Sequence, residues 1–330
     1  MEQRPMVEVQ DLKVQFHHSQ QQISAVNGVN LTVNKGEVVA LLGESGSGKS
    51  VTLRALMQLH PKRYTSIDGS IRIDGDEITK MNNQQLQKIR GTKVAMIFQE
   101  PLLAFDPVYT VGQQICEGLR KHRNMTKSQA YEKALEALRS VRIPSPEQRL
   151  EAYPHEMSGG MRQRAMIAQA LACDPELLLA DEPTTALDAT VQIQILILLR
   201  ELQRELGLSI IFVTHDIGAA IEVADRVAVM YAGKIVEQAP LAELLSAPRH
   251  PYTKVLLDSR PKGGLKPGMR LNSIPGTPPD LANLPSGCSF APRCAHATEL
   301  CYQEAPKTDF VSQTQQVSCH HWSKLHIADE

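Results

Sequence analysis

The sequence lacks any run of about 18 or more apolar residues, which excludes a membrane-spanning helix. It lacks a basic excess: 35 Lys and Arg stand against 36 Asp and Glu, a formal net charge of −1 with no basic stripe, so no nucleic-acid footprint is expected. It is poor in cysteine, with six in 330 residues, too few for a disulfide scaffold. Met1 to Gln22 is polar and carries acidic residues, unlike a signal peptide, so a cytosolic chain is expected. No Asn-Lys-x-Asp run offers a guanine reader, and no long coiled-coil insertion interrupts the chain. What is present is 42% hydrophobic residues, enough for one large α/β domain and a small one.

The chain is organised around Gly43-Glu44-Ser45-Gly46-Ser47-Gly48-Lys49-Ser50, a G-x-x-x-x-G-K-[ST] pattern. An apolar run, Val38 to Leu42, precedes it and reads as a buried strand; Val51 to Met57 follows as a helix. The glycines let successive backbone N–H groups turn toward an anion, and the helix N-terminus adds partial positive charge. Lys49 then reaches the β- and γ-phosphates of a nucleotide, and the Ser50 hydroxyl ligates Mg²⁺. A glycine turn that binds nothing is the competing reading, disfavoured by the flanking strand and helix.

Residues 6–16, 25–33 and 67–74 alternate apolar and polar, which predicts an antiparallel sheet. Phe16, near the end of its first strand, either stacks on adenine or fills core. Residues 94–98 read as a short buried strand, followed by Gln99, placed to ligate a metal or hold a water. Residues 111–142 read as a helical insertion broken by Pro144 and Pro146. Ser158-Gly159-Gly160 reads as a helix N-cap with exposed backbone N–H groups. It is either an ordinary cap or a second anion site that completes a site on another subunit.

Leu177 to Glu182 is an apolar strand ending in two carboxylates. Asp181 fits a Mg²⁺ anchor, and Glu182 fits a general base for water attack on a γ-phosphate. Residues 190–206 read as a helix apolar almost all round, hence buried. Ser209 to Thr214 is another buried strand, with His215 at the edge where ligands sit in open α/β sheets. Residues 226–231 and 234–237 form a hairpin around Ala232-Gly233.

In order and spacing these pieces resemble the ATP-binding subunit of an ABC transporter over about residues 6–258. The implied fold is an α/β P-loop ATPase core with an antiparallel β subdomain and a helical subdomain at about 100–160. The resemblance implies that Gly43 to Ser50, with Val51, is Walker A, that Gln99 is the Q-loop glutamine, and that Ser158-Gly159-Gly160 is the signature motif. It implies that Asp181 closes Walker B, Glu182 is the catalytic glutamate and His215 the switch histidine. Asp188 then lies in the D-loop Ala186-Leu187-Asp188, and Phe16 takes the place of the adenine-stacking aromatic. Gln99 joins Ser50 and Asp181 around Mg²⁺. Met161 stands where many members have glutamine; the serine and both glycines are kept.

A finer resemblance is to dipeptide and oligopeptide permease ATPases. It is carried by Phe98 to Pro101, Met157 to Arg164, Pro248 to Thr253, Ile274 to Pro279, Gly287-Cys288 and Pro292-Arg293-Cys294. It implies import of di- or oligopeptides, with another small solute such as a sugar or metal chelate as the alternative cargo. It implies a second, related ATP-binding subunit, two transmembrane permeases and an extracytoplasmic peptide-binding protein. The chain would then sit on the cytoplasmic face of the bacterial inner membrane. Residues 1–258 would form the nucleotide-binding domain and 259–330 a cysteine-rich extension.

Residues 259–287 are rich in Pro and Gly and read as a surface linker. Beyond them stand Cys288, Cys294, Cys301 and Cys319, four of the six cysteines in the last 43 residues. Four thiolates suit Zn²⁺ or an iron–sulfur cluster equally by softness. The resemblance implies a 4Fe–4S cluster, with His320 or His321 as alternative ligands to Cys319. Cys116 and Cys173 read as ordinary buried cysteines.

Overall fold

The computed structural model describes residues 4–18, 21–185, 187–259 and 274–324, the side chains of His18 and Leu103 aside. Ala186 of the expected D-loop and residues 260–273 of the expected linker lie outside the described residues. The chain opens with β1 (Val7–His18), β2 (Gln21–Val33), β3 (Val38–Leu42), α1 (Lys49–Leu56), β4 (Thr65–Ile73) and β5 (Asp76–Glu77). It continues through α2 (Asn83–Ile89), β6 (Val94–Ile97), α3 (Pro101–Ala104), α4 (Val111–Arg123), α5 (Lys127–Ser140), α6 (Pro146–Leu150) and α7 (Gly159–Leu171). Next come β7 (Leu177–Asp181), α8 (Ala189–Leu206), β8 (Ser209–Thr214), α9 (Ile217–Val223), β9 (Arg226–Tyr231) and β10 (Lys234–Pro240). It closes with α10 (Leu241–Ser246), α11 (Pro251–Asp258), α12 (Glu299–Gln303), β11 (Asp309–Phe310) and β12 (Gln316–Val317).

The chain divides into two compact units. Unit 1 holds Asn34–Glu37 and Lys80–Val213. Its strands β6, β7 and β8 pair in parallel, Val94 beside Leu177 and Leu177 beside Ser209. Every residue of the three strands within the unit is buried, as expected of parallel strands covered on both faces. The expected helical insertion is two helices. Thr110 and Thr126 each close a capping box, with Gln113 and Gln129, and Asn124 ends α4 in a left-handed conformation. Pro146 does not break a helix but starts α6, where its missing N–H costs nothing. The expectation of an all-round buried helix at 190–206 is corrected. In α8, Ile195, Leu198, Leu199 and Leu202 are buried, but Ile193 and Ile197 are 52% and 48% exposed. Residues two apart face different sides of a helix, so apolar content alone misjudged the burial.

Unit 2 holds Val7–Val33, Val38–Thr79 and the chain from Thr214. As expected, β1 pairs antiparallel with both β2 and β4, Val7 lying beside Val33 and Ile73. β1 and β2 form a local hairpin and the second half of β2 alternates in burial, so these strands were legible from period-2 patterning, although β4 pairs with β1 from about 50–66 residues away. β3 pairs in parallel with β9, and β9 turns through Ala232 and Gly233, both at positive φ, into antiparallel β10. The tail is no appended string: β12 pairs with β10, β11 with β12, and Phe290 is buried among Tyr231, Tyr252 and His250. Ile274, Leu281 and Leu284, in the stretch expected to lie on the surface, pack against this core.

Candidate functional site

In unit 2 the buried strand β3 delivers the chain into the glycine loop, and α1 begins at Lys49. Gly43 permits a close approach: a Cβ there would stand 2.2 Å from the Met230 carbonyl oxygen. Lys49 is buried and donates from Nζ to the Gly43 and Glu44 carbonyls, each at 2.8 Å. The Glu44 backbone N–H donates to the Tyr252 hydroxyl at 2.9 Å. Burial raises the pKa of that phenol, so it stays a neutral partner. Phe16 is half-buried and meets the edge of His60 at 5.4 Å; it is not sealed into the core. His215 is exposed just beyond β8.

Unit 1 carries the second group of expected residues. Asp181 ends β7 fully buried. Glu182 leaves the strand with φ 47°, a left-handed conformation uncommon outside glycine, and its N–H donates to the Val213 carbonyl at 3.0 Å. Its Oε2 accepts from Gln99 Nε2 at 3.2 Å and from the Thr185 hydroxyl at 3.0 Å. The structure thus brings Gln99 and Glu182, 83 residues apart, into one hydrogen-bonded pair. Backbone strain held by several partners is characteristic of functional positions. Ser158 caps α7, its hydroxyl accepting from Met161 N–H at 3.3 Å, with Gly159 and Gly160 in the first turn. Asp188 caps α8 by accepting from Val191 N–H at 3.0 Å.

In the tail, Cys288, Cys294, Cys301 and Cys319 line one cavity of about 20 Å³ with His296, His320 and His321. Burial pushes the Cys288 and Cys294 thiols up, and burial with the neighbouring thiols pushes Cys319 up to about 11. The donor set suits a soft metal centre, whose positive charge would reverse that penalty. Among the described residues no three His, Cys, Asp or Glu side chains are arranged to hold a single metal ion. His320 Nε2 hydrogen-bonds the Glu304 carbonyl, and His321 Nε2 the Thr298 hydroxyl. Cys173 is buried as expected; Cys116 is only half-buried, a correction.

Sequence reasoning missed Thr185, and read Tyr252 and Arg293 only as marks of the family resemblance, without their contacts. Arg293 is buried in the tail, yet its guanidinium grips Glu44 of the glycine loop, 249 residues earlier, at 2.6 and 3.0 Å. No local pattern announces a contact of that range.

The geometry agrees with the comparisons to known proteins. The ABC transporter family profile matches residues 26–185, and a profile for the oligopeptide/dipeptide transporter C-terminal region matches residues 236–301. The chain is 47% identical to the oligopeptide transport ATP-binding protein OppD of Bacillus subtilis, covering 94% of this chain and 87% of that one. It is 47% identical to AppD of the same organism, covering 91% and 92%. The dimeric structure of the bacterial ABC transporter cassette MJ0796 superposes with a TM-score of 0.64 at 30% identity, covering 72% of this chain and 99% of that one. MJ0796 in a post-hydrolysis state with ADP and Pi superposes equally well. With its glycine loop and strand-end carboxylates in the expected order, and with 47% identity to OppD across 94% of its length, the chain belongs to the ATP-binding subunits of ABC transporters, in the oligopeptide/dipeptide branch.

Proposed function

We propose that this chain binds and hydrolyses ATP to drive uptake of di- or oligopeptides through partner permeases. The observation that carries the reading is the conjunction of a strand–glycine loop–helix phosphate site with the peptide-transporter C-terminal region. In this reading Gly43 to Val51 wraps the phosphates, Phe16 stacks on adenine, and Ser50, Gln99 and Asp181 surround Mg²⁺. Glu182 polarises the attacking water, and its bond to Gln99 supports that role by fixing the carboxylate. His215 is the switch histidine. Ser158, Gly159, Gly160 and Asp188 complete the site of a second ATP-binding subunit.

Residues 1–258 act as the nucleotide-binding domain, with its helical subdomain at about 100–160, and 259–330 as the extension. The helical subdomain carries the permease contact. Supporting this, Phe98, Leu102, Val108, Tyr109 and Tyr153 of unit 1 are exposed, Val108 to 68%. Apolar groups of that size in water favour a partner. That contact holds the chain to the cytoplasmic face of the inner membrane, opposite an extracytoplasmic peptide-binding protein. The four cysteines hold a 4Fe–4S cluster, with Zn²⁺ as the alternative; their convergence on one cavity supports a shared metal centre.

The test is reconstitution with permeases and binding protein in vesicles. Peptides should stimulate ATP hydrolysis and accumulate inside. Stimulation by a sugar or a metal chelate, with none by peptides, would redirect the cargo.

A further inference from the structure

The cysteine tail reaches the phosphate loop through one side chain. Arg293, between Cys288 and Cys294, is 5% exposed at its side chain. Its Nη1 and Nη2 donate to the two carboxylate oxygens of Glu44 at 2.6 and 3.0 Å. Its Nε donates to the Pro275 carbonyl at 2.8 Å and its Nη1 also to the Tyr231 hydroxyl at 3.3 Å. The guanidinium lies 5.8 Å from the centre of the Tyr231 ring. Every contact aims the fork at one residue, and that residue stands in the phosphate loop.

Glu44 is held at both ends. Its backbone N–H is fixed by Tyr252, its carbonyl by Lys49, and its carboxylate by Arg293. Tyr252 and Tyr231 pack against each other and against Phe290 of the tail, so the clamp shares one buried wall. A bidentate arginine–carboxylate pair is directional and strong where solvent is excluded. It also neutralises a carboxylate that would otherwise lie beside incoming phosphates.

We propose that Arg293 is a positioning residue for nucleotide binding: through Glu44 it sets the conformation and charge of the phosphate loop, making the C-terminal extension part of the ATP site's frame. This rests on the reading of Gly43 to Ser50 as the ATP loop. The chain needs no added group for this role, since Glu44, Pro275 and Tyr231, the three partners of Arg293, all belong to it.

The experiment compares ATP affinity, by displacement of a fluorescent ATP analogue from the full chain, in Arg293→Ala, Arg293→Lys, Glu44→Ala, Arg293→Ala/Glu44→Ala and Lys49→Ala. Steady-state kinetics in the assembled transporter and metal content accompany each. Arg293→Ala should raise the Kd for ATP roughly ten-fold, within the range of ordinary coupling between sites. KM for ATP should rise with it while kcat at saturation holds. Arg293→Lys should recover only part, because one ammonium cannot serve both oxygens. The double variant should bind no worse than the weaker single variant. An unchanged Kd in folded Arg293→Ala overturns the proposal, as do losses that multiply in the double variant. If Arg293→Ala fails to fold, Glu44→Ala decides, since it leaves the tail's own residues intact: an unchanged or tighter ATP Kd there overturns the proposal. Lys49→Ala separates the two readings: if it retains ATP, the loop assignment itself falls, and this proposal with it.

Discussion

Replacing Phe290 with alanine tests whether the tail is structural core or ornament. Phe290 is 2% exposed, and its ring centre lies 5.2 Å from that of Tyr231, 5.3 Å from Tyr252 and 5.8 Å from His250. Truncating a fully buried phenylalanine costs about 3–5 kcal/mol, part transfer of the ring and part the cavity left behind. Two aromatic neighbours at these distances add about 0.5–1.5 kcal/mol each beyond buried area, which places this site toward the upper end. In a chain of this length the loss corresponds to a Tm fall of roughly 4–7 °C. Differential scanning fluorimetry of the full chain reads it directly, with Leu300→Ala, at an exposed tail position, as the control that should barely move. A fall under about 1 kcal/mol equivalent would show that the tail packs loosely, and would remove the buried wall on which the Arg293–Glu44 clamp depends.

Three further outcomes are expected. Glu182→Gln should bind ATP but hydrolyse it roughly 10²–10⁴-fold more slowly in a complex whose partner ATPase carries the matching change; near-normal phosphate release would remove Glu182 from the mechanism. Burial pushes the Glu77 carboxyl up, but the Ser70 and Thr79 hydroxyls, Ile71 N–H and Arg72 outweigh it and hold it at about 2, against an ordinary 4.5. Its stabilising effect is therefore complete above pH 4.5 and fades as pH falls toward 2, so Glu77→Gln should lower Tm at pH 7, with the difference closing on acidification; a constant difference would contradict this. Anaerobically purified chain should be brown with about four irons, and stoichiometric zinc without iron would replace the cluster with a zinc site.

The strands and the loop motif were legible because their signals are local. β3 is five consecutive apolar residues, β1 and β2 alternate, and Ser158 stands where a cap must stand, whereas the caps at Thr110 and Asp188 emerge only in the structure. Misreadings came where a side chain's fate depends on distant partners. Ile193 and Ile197 look like core by composition, yet the face they occupy on α8 is exposed. The stretch from Ile274 to Leu284 looks like linker because Pro275, Gly276, Pro278 and Pro279 interrupt it, yet Ile274, Leu281 and Leu284 find a core that includes residues of β9 and α11. Phe290 reads as one aromatic in a cysteine-rich tail, and nothing near it in sequence shows that Tyr231 and Tyr252 wait for it. The Gln99–Glu182 bond was suggested only by each residue ending a buried strand, which gave the location but not the pairing.

The left-handed backbone at Glu182 has an evolutionary consequence. Asparagine and glycine occupy that region at lower cost than glutamate does. Glu182→Asn should therefore relieve the backbone cost while replacing the carboxylate that accepts from Gln99 and Thr185 with a shorter, uncharged amide, a trade of durability against the turnover proposed for Glu182. If Glu182 polarises the attacking water as proposed, drift toward greater robustness at this position would run into the chemistry, so a random-mutation screen scored on solubility or heat resistance should enrich asparagine and glycine at 182, and one scored on transport should purge them.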